Sequence, residues 1–286
     1  MTVLEAIQKS TEFLSRKGVD SPRLQAELLL AHVLQRPRLQ LYLEFERPLS
    51  PAEVDALREL VRRRGQREPL QYILGRAAFC GRELEVNRHV LIPRPETEQL
   101  AERGWTWLRQ RPAPRRVLDV GTGSGCLAIA LVEHCPDTRC VAVDASPEAL
   151  AVARRNVAAA GLSDRIELVQ SHGLSAVPAE PRFDLVISNP PYIPTGALTT
   201  LQPEVRDYEP RLALDGGPDG LEAFRWLASE ARSRILPDGL LLVECGDGQA
   251  EAVSALFQEY GWKVTGKHSD YAGKPRFVEA RPGPPG

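Results

Sequence analysis

No stretch of this 286-residue sequence approaches the roughly 18 consecutive apolar residues that a membrane-spanning helix requires. The most apolar runs, residues 28–34 and 240–243, are long enough only for a helix face or a buried strand. Residues 1–13 mix acidic, basic and apolar positions, which is not the pattern of a signal peptide. Zinc spacing is missing as well. The five cysteines, Cys80, Cys126, Cys135, Cys140 and Cys245, make no C-x-x-C pair and no Cys/His cluster, and their number is odd. They read as buried free thiols of a reducing compartment, so the expected setting is cytoplasmic, without a membrane and without a bound metal. An excess of either charge is lacking too. Residues 1–75 hold twelve Lys/Arg against ten Asp/Glu, a net of +2, and the rest of the chain is net −4. A protein that grips a duplex by its phosphates shows a basic face, so no direct nucleic-acid substrate is expected.

What is present falls into halves of different rhythm. In residues 1–75 apolar side chains recur at three and four: Leu4, Ile7, Phe13 and Leu14, closed by Gly18, then Leu24, Leu28, Leu29 and Val33. Ser21-Pro22 and Ser50-Pro51 read as N-caps followed by proline at the first helical position, with Glu53 set to complete a capping box. This is a helical bundle without a catalytic cluster. Its run Arg62, Arg63 and Arg64 reads as a solvated helix end, with a patch for an acidic or RNA-rich partner as the alternative. Residues 76–92 form a hairpin linker, turning near Cys80-Gly81-Arg82. Residues 93–286 then alternate short apolar runs (117–120, 140–143, 166–169, 185–188, 240–244, 263–265, 276–279) with helical stretches (127–133, 147–160, 221–235, 249–260). That alternation predicts an α/β domain with a parallel, doubly wound sheet. Trp105 and Trp107 read as packing residues on a helix, and the Pro/Gly-rich residues 281–286 as a disordered tail.

The run Val117-Leu118-Asp119-Val120-Gly121-Thr122-Gly123-Ser124-Gly125 is a strand that enters a glycine-rich turn ahead of a helix. Dinucleotide sites use G-x-G-x-x-G and rest a pyrophosphate on the helix N-terminus. Here the spacing is G-x-G-x-G, preceded by Asp119, which suits a ligand without phosphates such as the amino-acid part of S-adenosyl-L-methionine. Asp144 ends the next strand, where one carboxylate can accept from both hydroxyls of a ribose. Taken alone, Asp144 is equally a turn residue beside the helix that starts at Ser146-Pro147. The loop and the acid together predict a nucleoside-type site made of Asp119, Gly121, Thr122, Gly123, Ser124, Gly125 and Asp144.

The strand ending at Ser188 runs directly into Asn189-Pro190-Pro191-Tyr192. Ligands of open α/β sheets bind beyond the carboxyl ends of the strands, so this loop belongs beside the glycine loop. An amide nitrogen is a poor nucleophile because its lone pair is delocalised. Accepting hydrogen bonds from both its N–H groups moves electron density onto nitrogen. Asn189 offers a side-chain oxygen, Pro190 a carbonyl whose direction the two prolines fix, and Tyr192 a flat surface for a planar group. Asn-Pro is also an ordinary turn dipeptide, and only its place after a strand in this chain argues for chemistry.

These residues resemble the peptide chain release factor glutamine methyltransferases. Four-residue loops similar to 189–192 occur in adenine-methylating DNA enzymes, ribosomal RNA guanine methyltransferases and a ribosomal-protein glutamine methyltransferase. Three further segments are more particular: Leu91-Ile92-Pro93-Arg94-Pro95-Glu96-Thr97-Glu98, Glu209-Pro210 with Ala213-Leu214-Asp215-Gly216-Gly217-Pro218-Asp219-Gly220-Leu221, and Asp270-Tyr271-Ala272-Gly273-Lys274-Pro275-Arg276. The resemblance implies a seven-stranded methyltransferase sheet with an N-terminal substrate-recognition bundle. It also implies S-adenosyl-L-methionine as cofactor and the glutamine of a release factor's Gly-Gly-Gln tripeptide as acceptor. By the same resemblance residues 121–125, Asp144 and Asn189 contact the cofactor, and Asn189, Pro190, Pro191 and Tyr192 hold the glutamine. After the third strand this sequence departs from the family with Gln170-Ser171-His172-Gly173, where His172 lines the adenine or is a plain loop residue. The competing readings are the ribosomal-protein enzyme, a DNA adenine methyltransferase, for which no target-recognition domain or basic groove is apparent, and a cofactor-binding adaptor without activity.

Overall fold

Ser50 Oγ accepts from Glu53 N at 3.3 Å while Glu53 Oε2 accepts from Ser50 N at 2.8 Å, so the expected capping box opens helix Pro51–Gly65. Thr2 and Glu5 build the same device ahead of Val3–Arg16. Ser21 differs: it stands at the N-cap of Pro22–Leu34 with φ 47° and makes no side-chain cap bond, leaving the start to the pre-set φ of Pro22. In this computed structural model, which describes residues 1–284, these helices join Arg38–Leu43 and Leu70–Leu74 in a first unit, Met1–Arg76. Its core is Val3, Ile7, Leu14, Leu29, Leu30 and Leu57.

A distant segment, Gln202–Tyr208, belongs to this unit as well. The basic run explains why. Arg62 pairs with Glu59 and Arg63 with Glu68, each at 2.6 Å, but Arg64 is buried and reaches Gln25 Oε1 at 2.5 Å and Glu204 Oε1 at 2.7 Å. Arg67 adds both oxygens of Glu204 at 2.7 Å. Burial alone would raise the Glu204 carboxyl, but the two guanidiniums outweigh it and hold it below its usual value. The run is therefore not simply a solvated helix end. Its third member is the buried half of a part-buried ion pair, the kind of position where a guanidinium's fixed fork is favoured.

The second unit is Ala77–Leu201 with the chain from Glu209 onward, so the hairpin expected as a linker belongs to it. Strands β1 (Arg76–Phe79) and β2 (Arg82–Glu85) turn through Cys80 and Gly81, both at positive φ, as a two-residue type I′ connection requires. The main sheet has β3 (Arg115–Val120), β4 (Thr138–Asp144), β5 (Ile166–Gln170), β6 (Phe183–Ser188), β7 (Ile235–Glu244), β8 (Trp262–Ser269) and β9 (Pro275–Pro282), in the order β5-β4-β3-β6-β7-β9-β8. Both faces are covered. Val117, Leu185, Ile187, Leu240 and Leu242 enter one apolar layer, while Leu118, Val120, Val186, Leu241 and Val243 enter the other. Strands buried on both sides read as continuous apolar runs, which is why the sequence pattern finds them.

The expected parallel, doubly wound sheet is present, with an antiparallel C-terminal edge. β3 to β7 are parallel, but β9 is antiparallel to both β7 and β8. A parallel crossover needs about a dozen residues or more, and the link from Ser269 to Pro275 is far shorter. The segment Asp270-Tyr271-Ala272-Gly273-Lys274 is instead a hairpin turn. Asp270 Oδ1 accepts from Ala272 N and Lys274 N at 2.9 Å, and Gly273 takes φ 80°. Ile235, expected at the end of a helix, pairs with Phe183 and opens β7. Arg281 and Pro282, expected in a disordered tail, complete β9, while residues 285–286 lie outside the described residues. Trp105 stacks on the His134 ring at 3.9 Å, and Trp107 lies under the Arg111 guanidinium at 5.2 Å, both packing roles. No helix of the described residues is long and apolar enough to cross a membrane.

Candidate active site

The chain runs outward from β3 through β4 to β5, then returns to place β6 on the other side of β3. Such a switch point opens a crevice at the carboxyl ends of the strands. The register sets what faces it: Val120 lies opposite Ser188, so Gly121 and Asn189 leave adjacent strands at the same level. Ser188 Oγ donates to Val120 O at 2.7 Å and ties the two strand ends together. Val143 is level with Val120, and Asp144 with Gln170, which brings Asp144, Ser171 and His172 to the same edge.

A cleft of about 630 Å³ occupies this edge, lined among others by Gly121, Gly123, Asp144, Ser171, His172, Asn189 and Pro191. Gly121 (φ 73°) and Gly123 (φ 54°) have no heavy atom within 4 Å of where a Cβ would stand, so their backbone is open to a ligand. Asp144 Oδ2 accepts from Gly123 N and its Oδ1 from Ser146 N, both at 2.9 Å. Burial raises the Asp144 carboxyl from its usual value, and these backbone N–H groups act against the rise. One residue therefore closes the glycine loop, caps the turn after β4 and lines the cleft.

The other expected loop residues stand behind that surface. Asp119 is fully buried, and its Oδ2 accepts from Thr122 Oγ1 at 2.6 Å and from Ala128 N at 3.2 Å. Burial pushes this carboxyl up to about 7. Its Oδ1 has no hydrogen-bond partner among the described residues. Thr122 and Ser124 are buried too, and Gly125 begins helix Cys126–His134 at φ 83°. None of these four is among the lining residues. They shape the loop from within. Asn156 is a brace that the sequence did not signal: its Nδ2 donates to Ser124 O at 2.9 Å and to Glu85 O at 3.0 Å. His172 is exposed at the rim of the cleft.

In the acceptor loop, Asn189 and Pro191 line the cleft, Pro190 is buried, and Tyr192 is half-buried against the core layer of β7. Burial, with the nearby charge of Glu244, pushes the Tyr192 phenol up to about 12, so it stays neutral. Gln249 Nε2 donates to Tyr192 O at 2.9 Å while its Oε1 accepts from Gly246 N at 2.8 Å. Beyond the loop, Ile193 and Gly216 exchange backbone bonds with their neighbours: Ile193 N to Leu214 O at 3.0 Å, Gly216 N to Ile193 O at 2.8 Å. The segment 91–98 meets the segment from Glu209 through Arg94 Nη2, which bonds the buried Glu209 Oε1 at 2.5 Å. Thr97, buried in the first turn of helix Pro95–Leu108, accepts from Asn189 Nδ2 at 3.0 Å.

The donor set of the cleft fits a particular ligand class. Among the described residues its lining includes the acids Asp144, Asp215, Glu222 and Glu230 but no Lys or Arg. A phosphate-bearing ligand would find four carboxylates there and no Lys or Arg to pair with. A nucleoside carrying positive charge, with hydroxyls for Asp144 and a polar end for the open glycine backbone, matches it.

Comparison with known proteins agrees with both halves of the chain. Residues 5–75 match the family model described as the PrmC N-terminal domain, and residues 105–204 that of the methyltransferase small domain. A release factor glutamine methyltransferase of Geobacter sulfurreducens is 45% identical over 99% of this chain and 97% of its own length. One of Chlorobaculum tepidum is 47% identical over 89% of each chain. The crystal structure of a methyltransferase from Pyrococcus furiosus superposes with a TM-score of 0.53, covering 72% of this chain and 91% of that one at 20% identity, which speaks for the fold alone. By its matched domains and its near full-length relatives, the chain belongs to the release factor glutamine methyltransferase family.

Proposed function

We propose that this enzyme methylates the side-chain amide nitrogen of the glutamine in the Gly-Gly-Gln motif of peptide chain release factors, with S-adenosyl-L-methionine as the donor. The observation that carries the reading is the position of the Asn189 amide, level with the glycine loop on the neighbouring strand and lining the same cleft. Gly121, Gly123 and Asp144 would hold the cofactor, with His172 at its adenine edge, while Asp119, Thr122, Ser124 and Gly125 keep the loop in shape. When bound, the cofactor supplies a methyl group activated by its sulfonium. Asn189 Oδ1 and the Pro190 carbonyl accept from the two N–H groups of the acceptor amide, which weakens its delocalisation. Pro191 and Tyr192 fix the direction of that carbonyl and flank the planar group. The protein's remaining task is alignment, since holding two reactants at about 3–3.5 Å in line is itself a large part of catalysis. The bundle of residues 1–75 is the candidate surface for recognising the rest of the release factor.

The decisive experiment uses methyl-labelled cofactor with an intact release factor and with the same factor carrying asparagine in place of the motif glutamine. Label is expected on the first only. Label on both, or on a large-subunit ribosomal protein instead, would refute the assignment.

Asp144→Ala provides a separate check on the cofactor end. Losing a charged acceptor for two hydroxyls should cost about 1.5–3 kcal/mol of binding, roughly tenfold or more in dissociation constant. Calorimetry reads this directly, with thermal unfolding as the control because Gly123 N and Ser146 N lose their partner too. An unchanged dissociation constant would make Asp144 a turn residue only.

A further inference from the structure

The Asn189 side chain is not free to choose which end of its amide faces the cleft. Its Nδ2 donates to Thr97 Oγ1 at 3.0 Å, and Thr97 Oγ1 donates to Glu244 Oε2 at 2.8 Å. A hydroxyl has one proton. With that proton given to Glu244, only lone pairs of Thr97 Oγ1 face Asn189, and only the N–H end of the amide can meet them. The oxygen end must then point away from Thr97. Thr97 is 3% exposed and Glu244 2%, so solvent does not compete for either group. The three residues come from three elements: the first turn of helix Pro95–Leu108, the last position of β7 and the residue after β6.

We propose that Thr97 and Glu244 are positioning residues that act through Asn189, fixing its amide with the oxygen turned to the acceptor nitrogen. This rests on the reading of Asn189 as the residue that holds that nitrogen. The physical argument is the polarity of the chain. An Asn side chain rotated by half a turn has nearly the same shape but offers an N–H where the acceptor also offers one, and the two repel. An ionised carboxylate, the form Glu244 takes above about pH 7, can only accept, so it sets every bond between it and Asn189 in one direction. Packing alone does not account for Glu244. Burying a carboxylate is costly, and an apolar side chain would fill the space without that cost. Burial does raise the Glu244 carboxyl to about 7, with the Thr97 hydroxyl lowering it, Glu96 raising it, and Arg276 and Arg94 lowering it. The arrangement keeps this group at the site despite that cost.

The test compares Thr97→Val, which has nearly the same shape without a hydroxyl, with Thr97→Ser, which keeps it, using an intact release factor and S-adenosyl-L-methionine. Thr97→Val should lower kcat by about 10- to 100-fold while KM and the cofactor dissociation constant stay within about threefold, the pattern of an interaction expressed in the transition state. Thr97→Ser should recover most of the loss. Glu244→Gln can donate or accept at the same place, so the direction of the chain is no longer enforced, and kcat should fall by an intermediate factor. A role in stability alone would lower the unfolding temperature and leave kcat per folded enzyme unchanged. That result, or Thr97→Ser as impaired as Thr97→Val, would overturn the positioning role, and full activity in Glu244→Gln would overturn the part given to the carboxylate. Asn189→Ala is measured alongside. If it is inactive while Thr97→Val is normal, only the positioning falls; if it is fully active, the reading of Asn189 falls as well.

Discussion

Replacing Asn189 with alanine is expected to reduce methyl transfer to a release factor by at least about 100- to 1,000-fold in kcat, the usual cost of removing a preorganised group that stabilises developing charge. The cofactor dissociation constant should move by less than about threefold, because the groups proposed to hold the nucleoside lie on other strands. The contrast follows from position. Gly121, Gly123 and Asp144 follow β3 and β4, whereas Asn189 follows β6, and its side-chain amide is engaged with Thr97 rather than with the glycine loop. Removing it leaves the acceptor amide with one of its two hydrogen-bond acceptors and a place for water where Oδ1 had been. Calorimetry with S-adenosyl-L-methionine and a single-turnover transfer assay separate the two effects. Full activity would refute the mechanism, and a large loss of cofactor affinity would show that the cofactor contact the resemblance implies for Asn189 carries much of the binding.

How far the sequence reveals this molecule depends on whether a residue's reason lies in its own neighbourhood. The strands of the parallel part are visible because both faces are buried, so β6 is apolar or buried at every position from Phe183 to Ser188. The capping box at Ser50 is visible because its partner is three residues away. The glycine loop and Asp144 are visible because a strand, a turn and a strand tip have a fixed spacing. Arg64 is not, since its partner Glu204 is 140 residues on, and from sequence the run 62–64 looks like any solvated helix end. Ser21 shows the opposite failure. Its Ser-Pro pattern is right for a cap, but φ 47° turns its side chain away from the role. Thr97 lies in a segment quoted only for resemblance, and nothing in its local pattern says that it reaches Asn189, 92 residues later. The order β7-β9-β8 is likewise hidden in the apolar runs. The short link at residues 270–274 permits a hairpin and no crossover, so it shows that β8 and β9 are antiparallel neighbours, but it does not say which of them lies against β7.

The glycines of the segment 213–221 lead to the second large effect. Gly216→Ala is expected to lower kcat on a release factor by roughly 100-fold, the penalty for misplacing a reacting group by about 1 Å. Gly216 is not at positive φ, so backbone freedom is not what it supplies. What it supplies is space: an added Cβ would stand 2.8 Å from Tyr192 Cα and 2.9 Å from both Gly220 Cα and Pro191 O. All three are backbone atoms, and none can swing aside as a side chain tip would. Gly216 N is also bonded to Ile193 O, so the alanine cannot retreat without pulling on the chain just past Tyr192. Gly220 approaches the loop just as closely, since a Cβ there would collide with the Tyr192 carbonyl oxygen. The acceptor loop therefore lies against a floor of glycines, and the carbonyl of Pro190 keeps its direction because the residues after it cannot move. Gly196→Ala is the matched control, since nothing stands within 4 Å of its Cβ and its φ is ordinary. It should change stability by no more than about 0.5 kcal/mol and leave turnover unchanged. Steady-state kinetics on both variants, with calorimetry to show that cofactor affinity is retained, decides the matter. If Gly216→Ala turns over at the rate of Gly196→Ala, the loop tolerates displacement, and the fixed carbonyl cannot be part of the mechanism.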